Sequence, residues 1–164
     1  MCSSDLLFSG GFPRFSASEA RRAVQRAVFA VQHELEAAFA AQFSDKVLIL
    51  DRGSIDGAAY WPEGPEDYFK SLGTSLEAEL TRYERVIYLE SAAKDAYELN
   101  VTKNPNRKES WEEARKLDEQ TFRLWSKHPN FVHIHNSRSF DRKVSEVLSA
   151  VAVNLPFAEE SGKE

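Results

Sequence analysis

The sequence predicts an α/β fold in which helices alternate with the strands of a mostly parallel sheet. Three short apolar runs, at 47–50, 85–89 and 131–135, are the basis of this prediction. The second and third runs each follow a stretch with helical periodicity, and strands that alternate with helices form parallel sheets through right-handed crossovers. The chain has 164 residues, 42% of them hydrophobic, which fits one domain with a core.

The composition limits what the protein binds and where it works. The 21 Lys and Arg against 26 Asp and Glu give a formal charge of -5, so no general positive field is present to attract nucleic acid. A single cysteine, Cys2, cannot form an internal disulfide, which favours a reducing compartment. No run approaches the ~18 to 20 apolar residues that span a bilayer. We expect a cytoplasmic protein without a transmembrane segment or a nucleic-acid partner.

A long helix is predicted to begin at Ser16, because Ser16 and Glu19 have the spacing of a capping box. Apolar residues then recur every three or four positions and predict one buried stripe, with Gln32 and Glu36 on the wet side. The stripe consists of Ala20, Val24, Ala27, Val28, Val31, Leu35, Ala38, Phe39 and Phe43. The run 47–50 is apolar throughout, as in a strand buried on both faces of a parallel sheet.

The second half of the chain has a further capping box, Ser110 to Glu113, which opens a helix that stops at His128. Its inward residues are predicted to be Trp111, Ala114, Leu117, Phe122 and Trp125. A last helix is expected over about 139–153, with Phe140, Val144, Val147, Leu148 and Val151 inward. We interpret 1–6 as a leader foreign to the fold, 7–153 as the domain and 154–164 as a polar tail.

Ligands of open α/β sheets bind beyond the carboxyl ends of the strands, so the residues after each run are the first candidates. Asp51 and Arg52 follow the first run, with Asp56 close by, Glu90 and Ser91 follow the second, and Asn136 and Ser137 follow the third. A carboxylate at a strand end can hold Mg²⁺ or accept a proton from a hydroxyl, and an adjacent arginine can neutralise a transferring phosphate. The alternative is that both aspartates cap turns and that the arginine is solvated.

A basic segment, 100–108, contains Lys103, Arg107 and Lys108 and no acid. Cations on a mobile segment can close over a triphosphate and exclude water, as a lid does. An exposed basic loop without a ligand is the alternative.

The four histidines suggest a metal or acid–base site. His133 and His135 alternate on the third run and so point to one face, but no carboxylate or cysteine stands beside them in a ligand pattern. We interpret them as packed or edge-strand side chains.

Five segments stand in an order that is typical of one family: 8–14, 47–60, the Asn-rich segment ending at Arg107, 112–118 and 136–137. The stretch Asp-Arg-Gly-x-x-Asp-Gly from Asp51 is the most specific of them. In this order the chain resembles the AAA-like P-loop family typified by the TRPL translocation defect protein, which is similar to the ribosylnicotinamide kinase domains of bacterial NAD regulators.

The resemblance implies a three-layer P-loop NTPase-like fold that binds Mg²⁺ with ATP or GTP and an unknown small-molecule acceptor. Asp51 and Arg52 look like the Asp-Arg pair of nucleoside and nucleotide kinases, with Asp51 as a Mg²⁺ ligand. Arg107 looks like a lid arginine, and Asn136 like part of the base-binding end.

Members of that family begin with a strand, a G-x-x-x-x-G-K-[ST] loop, a helix and a second strand, and this sequence has no counterpart to them. The backbone N–H groups, lysine and hydroxyl of that loop supply most of the phosphate affinity. We therefore expect a truncated domain that does not catalyse phosphoryl transfer, from a parent that is a kinase or NTPase. The alternatives are a regulatory GTP-binding or adaptor module and a natural P-loop-free interaction domain.

Overall fold

The computed structural model describes residues 17–90, 110–136 and 139–152. The elements in chain order are α1 (Ser18–Gln42), a 3-10 helix (Asp56–Tyr60), α2 (Pro65–Ser71), α3 (Leu76–Leu80), β1 (Val86–Leu89), α4 (Trp111–Trp125), β2 (Phe131–Ile134) and α5 (Phe140–Ala152). Several predictions fall outside the described residues, namely the leader 1–6, Ser91, the basic residues Lys103, Arg107 and Lys108, Ser137, and the tail 154–164.

The strands β1 and β2 form a parallel pair, which confirms the α/β class. Val86 stands opposite Phe131 and Leu89 opposite Ile134. Parallel strands need a long crossover, and here it contains α4, which packs on β1, while α5 packs on β2. Both strands lie where the apolar runs predict them, to within one residue at their ends.

The first predicted strand, at 47–50, is wrong. In the part of the chain that the structure describes, the sheet has two strands, and 47–50 has no regular structure. Val47 is 53% exposed and Ile49 is 76% exposed. A strand needs a neighbour to satisfy its backbone N–H and C=O groups, and neither described strand pairs with this run. The apolar run therefore stays outside the sheet.

The core lies around the segment that follows this run. Ile55 is completely buried, and three helices, α1, α2 and α4, pack around the 3-10 helix. The ring of Tyr68 meets Trp61 and Phe69 edge to face, with centroids 5.4 and 5.2 Å apart. A Cβ on Gly57 would stand 2.6 Å from the Tyr68 hydroxyl, so only glycine permits this close packing.

The helix α1 differs from its prediction at both ends. It begins at Ser18 with Ala17 as N-cap and no side-chain cap, whereas the expected capping residue Ser16 lies outside the described residues. Near its C-terminus Phe39 is 50% exposed and Phe43 is 42% exposed. The predicted stripe is thus only partly buried: Val24 is buried, and the exposed aromatic rings stack on each other.

The predicted wet side of α1 is wrong at Gln32 and Glu36, which are buried. The Gln32 amide donates to Glu36 at 2.7 Å, and Glu36 also accepts from the Arg82 guanidinium at 2.6 Å and the Tyr83 hydroxyl at 3.1 Å. A buried carboxylate is tolerated when charged and polar donors surround it. This face of α1 therefore packs through hydrogen bonds, which apolar periodicity does not reveal.

The helix α4 confirms its predicted start. The Glu113 N–H donates to the Ser110 hydroxyl at 3.2 Å, and the Ser110 N–H donates to the Glu113 carboxylate at 2.8 Å. Trp125 is buried as predicted, and Thr121 and Leu124 are buried beside it.

The apolar face of α5 is not buried, contrary to its prediction. Phe140 is 79% exposed and Leu148 is 63% exposed. In the described part of the chain α5 packs on β2, and a two-stranded sheet is too narrow to cover the whole face of the helix. None of the described helices combines the length and apolar character that would let it cross a bilayer.

A buried polar network joins the core to the loop that precedes the 3-10 helix. Ser54 is 2% exposed, and all of its polar groups are bonded. Its N–H donates to the Tyr83 hydroxyl at 2.8 Å, its carbonyl accepts from the Tyr68 hydroxyl at 2.8 Å, and its hydroxyl donates to Glu79 at 2.7 Å. The backbone at Ser54 is therefore fixed from three sides.

Glu79 receives hydrogen bonds from further segments. The Thr74 hydroxyl donates to its carboxylate at 2.8 Å, and His33 Nε2 on α1 lies 2.9 Å away. Burial acts to raise the pKa of Glu79, but the hydrogen bonds from Ser54, Thr74 and His33 outweigh it and hold the pKa below its usual value. Glu79 is therefore ionised at neutral pH and ties α1, α3 and the loop together.

We expect Ser54→Ala to lower the free energy of unfolding by about 1–3 kcal/mol, because it removes a hydrogen bond to a buried carboxylate. Urea denaturation at neutral pH measures the change. Ser126→Ala, at an exposed helix end, is the control and should stay within about 0.5 kcal/mol of the parent. Equal losses in the two variants would contradict the role of Ser54.

Candidate functional site

Two of the predicted catalytic residues, Asp51 and Arg52, lie on the loop between the apolar run and the 3-10 helix, and the third, Asp56, is the first residue of that helix. Asp51 and Arg52 are exposed, whereas the carboxylate of Asp56 is 16% exposed. The Arg52 Nη1 atom lies 3.6 Å from Asp56 Oδ2. The structure thus brings Arg52 and Asp56 together, with Asp51 adjacent in the chain. Because 47–50 is not a strand, they do not stand at a strand end as expected.

Asp56 is held from the opposite side by α4. The Trp125 indole N–H donates to Asp56 Oδ1 at 2.6 Å, while Oδ2 is buried and has no hydrogen-bond partner in the described structure. Burial raises the pKa of Asp56 above its usual value, although the charge of Arg52 and the Trp125 hydrogen bond oppose the shift. A buried carboxylate with a raised pKa beside an arginine is typical of functional sites.

The backbone of this loop is strained at Arg52. Among the residues that the structure describes, it is the one non-glycine residue with a positive φ, 73°. The next residue, Gly53, packs so closely that a Cβ would stand 2.8 Å from the Trp125 ring and 3.0 Å from the Tyr83 hydroxyl. Strain of this kind persists only where the surroundings enforce it, and it is concentrated at functional sites.

Tyr88 and Asp118 extend the site along α4, and sequence reasoning missed both. The Tyr88 hydroxyl on β1 donates to Asp118 Oδ1 at 2.6 Å. Burial, with the hydrogen bond and charge of Asp118, raises the pKa of Tyr88, and the charges of Arg52 and Asp56 also act on it. Asp118 stands two helical turns before Trp125 on the same face of α4, but no local pattern in the sequence pairs it with Tyr88.

Asn136 lies just beyond β2 and connects the ends of the two strands. Its N–H donates to the Glu90 carboxylate at 2.6 Å, and its side-chain oxygen accepts from Lys143 at 3.0 Å. Lys143 also donates to the Glu90 carbonyl at 2.8 Å, which ties α5 to the end of β1. The base-binding role predicted for Asn136 remains a prediction.

A shallow depression of about 350 Å³ lies on the exposed side of α4. The described residues that line it all belong to that helix: Trp111, Glu112, Arg115, Lys116 and Glu119. It includes none of the residues above, so the candidate site is recognised by its charges and backbone strain and not by a cavity.

We expect Arg52→Gly to be more stable than Arg52→Ala by about 1 kcal/mol, because glycine adopts a positive φ without the steric cost that a Cβ adds. The two variants both lack the guanidinium, so their difference isolates the backbone. Chemical denaturation of both gives the two free energies of unfolding. Equal stability would show that the backbone at this position is not strained.

Because the pKa of Asp56 is raised in the folded chain, this residue makes the free energy of unfolding depend on pH. Its ionised form is less favourable in the folded chain than in the unfolded chain, so this group lowers the free energy of unfolding as pH rises from about 3.9 through the folded pKa. Asp56→Asn keeps an acceptor for Trp125 without the charge. We expect the variant to be more stable than the parent at pH 7, with the difference shrinking as pH falls.

Urea denaturation over a pH series measures this difference. Asp51→Asn, which changes an exposed carboxylate in the same loop, is the control and should alter stability little at any pH. A parent that is more stable than Asp56→Asn at pH 7 would contradict the raised pKa.

The chain was compared with known proteins at the level of families, curated proteins and solved structures. No curated protein and no solved structure is significantly similar to it. A family model described as AAA domain matches residues 5–143, a range that contains α1 to α4, both strands and the loop with Arg52 and Asp56. The chain therefore belongs to the AAA domain family, a family of P-loop NTPase-type nucleotide-binding domains.

Proposed function

We propose that this chain is the C-terminal part of a cytoplasmic, kinase-like P-loop domain that binds ATP or GTP and, when intact, transfers a phosphoryl group to a small-molecule acceptor. We propose that this domain is related to the TRPL translocation defect protein and to the ribosylnicotinamide kinase domains. The observation that carries the proposal is the pair of Arg52 and Asp56 on a strained loop, in a chain of the AAA domain family.

Phosphoryl transfer depends on positioning and on charge near the phosphate oxygens. The side chain of Arg52 is 55% exposed and that of its partner Asp56 is 16% exposed, so Asp56 can orient the guanidinium from the protein side while the guanidinium still reaches a phosphate in solvent. The raised pKa of Asp56 favours proton uptake, which suits a group that receives a proton from an acceptor hydroxyl. In this proposal Asp56 orients Arg52 and can act as the base.

Mg²⁺ fits the donor set of the loop, because carboxylate oxygens and water are its preferred ligands. Asp51 presents an exposed carboxylate beside Arg52, and the buried Oδ2 of Asp56 lacks a hydrogen-bond partner. When bound, the ion neutralises phosphate charge. We propose Asp51 as its ligand, Lys103, Arg107 and Lys108 as phosphate ligands from the lid, and Asn136 and Ser137 as contacts to the base.

The phosphate-binding loop itself does not occur in these 164 residues. We propose that the intact domain places that loop on a strand beside 47–50. The exposed Val47 and Ile49 support this, because such a run is typical of a strand covered on both faces. The exposed apolar face of α5 also fits a wider sheet. Without the loop, we expect the chain to bind nucleotide weakly and not to transfer phosphate.

We expect the 164-residue chain to bind Mg-ATP and Mg-GTP no more tightly than in the millimolar range. In a longer protein that contains the glycine-rich loop, we expect turnover, and Asp51→Asn should reduce it by ~100-fold or more if Asp51 acts in the chemical step. Isothermal titration measures binding, and phosphorylated product from a set of nucleoside-like acceptors measures turnover. A micromolar dissociation constant for the short chain would reject the proposed truncation.

Asp45→Asn is the matched control, because Asp45 is also exposed and precedes the apolar run. It should leave turnover unchanged. Nucleotide binding by the longer protein without any phosphorylated acceptor would favour the regulatory GTP-binding or adaptor module. Absence of binding in both proteins would favour a P-loop-free interaction domain.

A further inference from the structure

Three potential metal ligands converge at the carboxyl ends of β1 and β2. Leu89 pairs with Ile134, and the Glu90 N–H donates to the Ile134 carbonyl, so Glu90 comes alongside His135. His133 and His135 project from the same face because side chains alternate along a strand. One ligand atom from each of Glu90, His133 and His135 lies within 4.8 Å of the others. His135 Nδ1 is 3.7 Å from Glu90 Oε2.

The ring of His133 is fixed, but its hydrogen bonding is incomplete. It packs against Phe122 and Tyr88, with ring centroids 5.1 and 5.7 Å away. Its Nε2 atom is buried and has no hydrogen-bond partner in the described structure. Buried polar atoms nearly always have a partner, so an unpartnered ring nitrogen needs an explanation.

His128 shows what a structural histidine in this protein looks like. Its Nε2 lies 2.7 Å from the Tyr83 carbonyl, and its Nδ1 accepts from the Asn130 N–H at 3.0 Å. Both ring nitrogens are therefore used. The contrast with His133 argues against packing as the whole role of His133.

Glu90 is oriented from outside the cluster. The Asn136 N–H donates to its Oε2 at 2.6 Å, and Lys143 holds the Glu90 carbonyl. A carboxylate has two oxygens with four lone-pair sites, so it can accept this bond and coordinate an ion at once. Hydrogen bonds of this kind orient the ligands in known metal sites.

We propose that Glu90, His133 and His135 bind one divalent transition-metal ion, with zinc as the preferred ion. Two imidazoles and a carboxylate suit zinc, whereas magnesium prefers oxygen ligands alone. Ligands of a tetrahedral zinc ion stand roughly 3.3 Å apart at bond lengths of about 2.0–2.1 Å. Small side-chain rotations close the cluster to that size, and the 74% exposed side chain of His135 is free to make them.

Three protein ligands leave a fourth position for water or a small anion, as in open zinc sites. The site is separate from the Mg²⁺ proposed at Asp51 and does not depend on the proposed nucleotide function. Sequence reasoning set these histidines aside because no carboxylate was near them. Glu90 directly follows β1, and the parallel pairing of β1 with β2 brings it alongside His135.

Zinc titration of the untagged full chain in a Cys2→Ser background tests the site, since this removes the one thiol that could bind zinc elsewhere. We expect one zinc per chain, little competition from excess Mg²⁺, and ligand-field absorption when Co²⁺ replaces zinc. His135→Ala, His133→Phe and Glu90→Gln should each weaken zinc binding by at least roughly 10- to 100-fold, the loss that even outer-shell changes cause. His133→Phe keeps an aromatic ring in the packed position.

Two variants serve as controls with matched chemistry. Glu84→Gln changes an exposed glutamate at the other end of β1, and His33→Gln removes a histidine far along the chain while keeping a side-chain donor for Glu79. Both should keep the zinc affinity of the parent, and His135→Ala should keep the parent's folded circular dichroism spectrum. Absence of zinc binding, or equal affinity in the site and control variants, would overturn the proposal.

Discussion

The buried carboxylate of Glu79 is the contact on which the described structure depends most. It collects donors from three segments: His33 of α1, Ser54 of the loop and Thr74 before α3. An ionised carboxylate in the interior is costly unless donors surround it, so each segment is held where its donor is needed. The apolar core around Ile55 supplies the burial, but it has no comparable directional requirement. Glu79 thus decides how α1, α3 and the loop are arranged.

The same network determines the shape of the candidate site. Ser54 is two residues from Arg52, and three hydrogen bonds fix its backbone. On the other side, Trp125 closes on Gly53 and bonds to Asp56. The loop is therefore clamped between the network and α4, which explains how a left-handed arginine and a buried, partly unpartnered carboxylate can persist so close together. Strained backbone and incompletely bonded buried groups lower stability, and proteins retain them mainly at functional sites.

The sequence predicted those features that depend on near neighbours along the chain. The Ser110 capping box and the two strands followed from local patterns, and the structure has them. Features that depend on distant partners were missed. In the sequence, Gln32 and Glu36 have the pattern of exposed polar residues. Their burial depends on Arg82 and Tyr83, which are distant in the chain and bond to Glu36 in the structure.

For the candidate site the same distinction holds. Asp51, Arg52 and Asp56 were selected by a strand-end argument, although the strand before them does not form. These residues were therefore selected through a strand that does not form, and their catalytic roles stay predictions, whereas the contact of Arg52 with Asp56 is known from the structure alone. Tyr88 with Asp118 could not be found, because this pair joins a strand to the helix of its crossover.

The described structure satisfies its polar groups better than it covers its apolar surfaces. Most described buried polar groups have partners, whereas the apolar surfaces of 47–50, the end of α1 and α5 are exposed. Two-stranded sheets are marginal on their own, and open apolar edges invite pairing. On the proposed function, one added strand beside 47–50 would satisfy its backbone groups, cover Val47 and Ile49, and widen the sheet beneath α5. It would also hold Asp51 from its N-terminal side, where the run 47–50 has no regular structure. On this proposal the Glu79 network fixes one end of the loop and the added strand would fix the other, so the site would be rigid only in the intact domain.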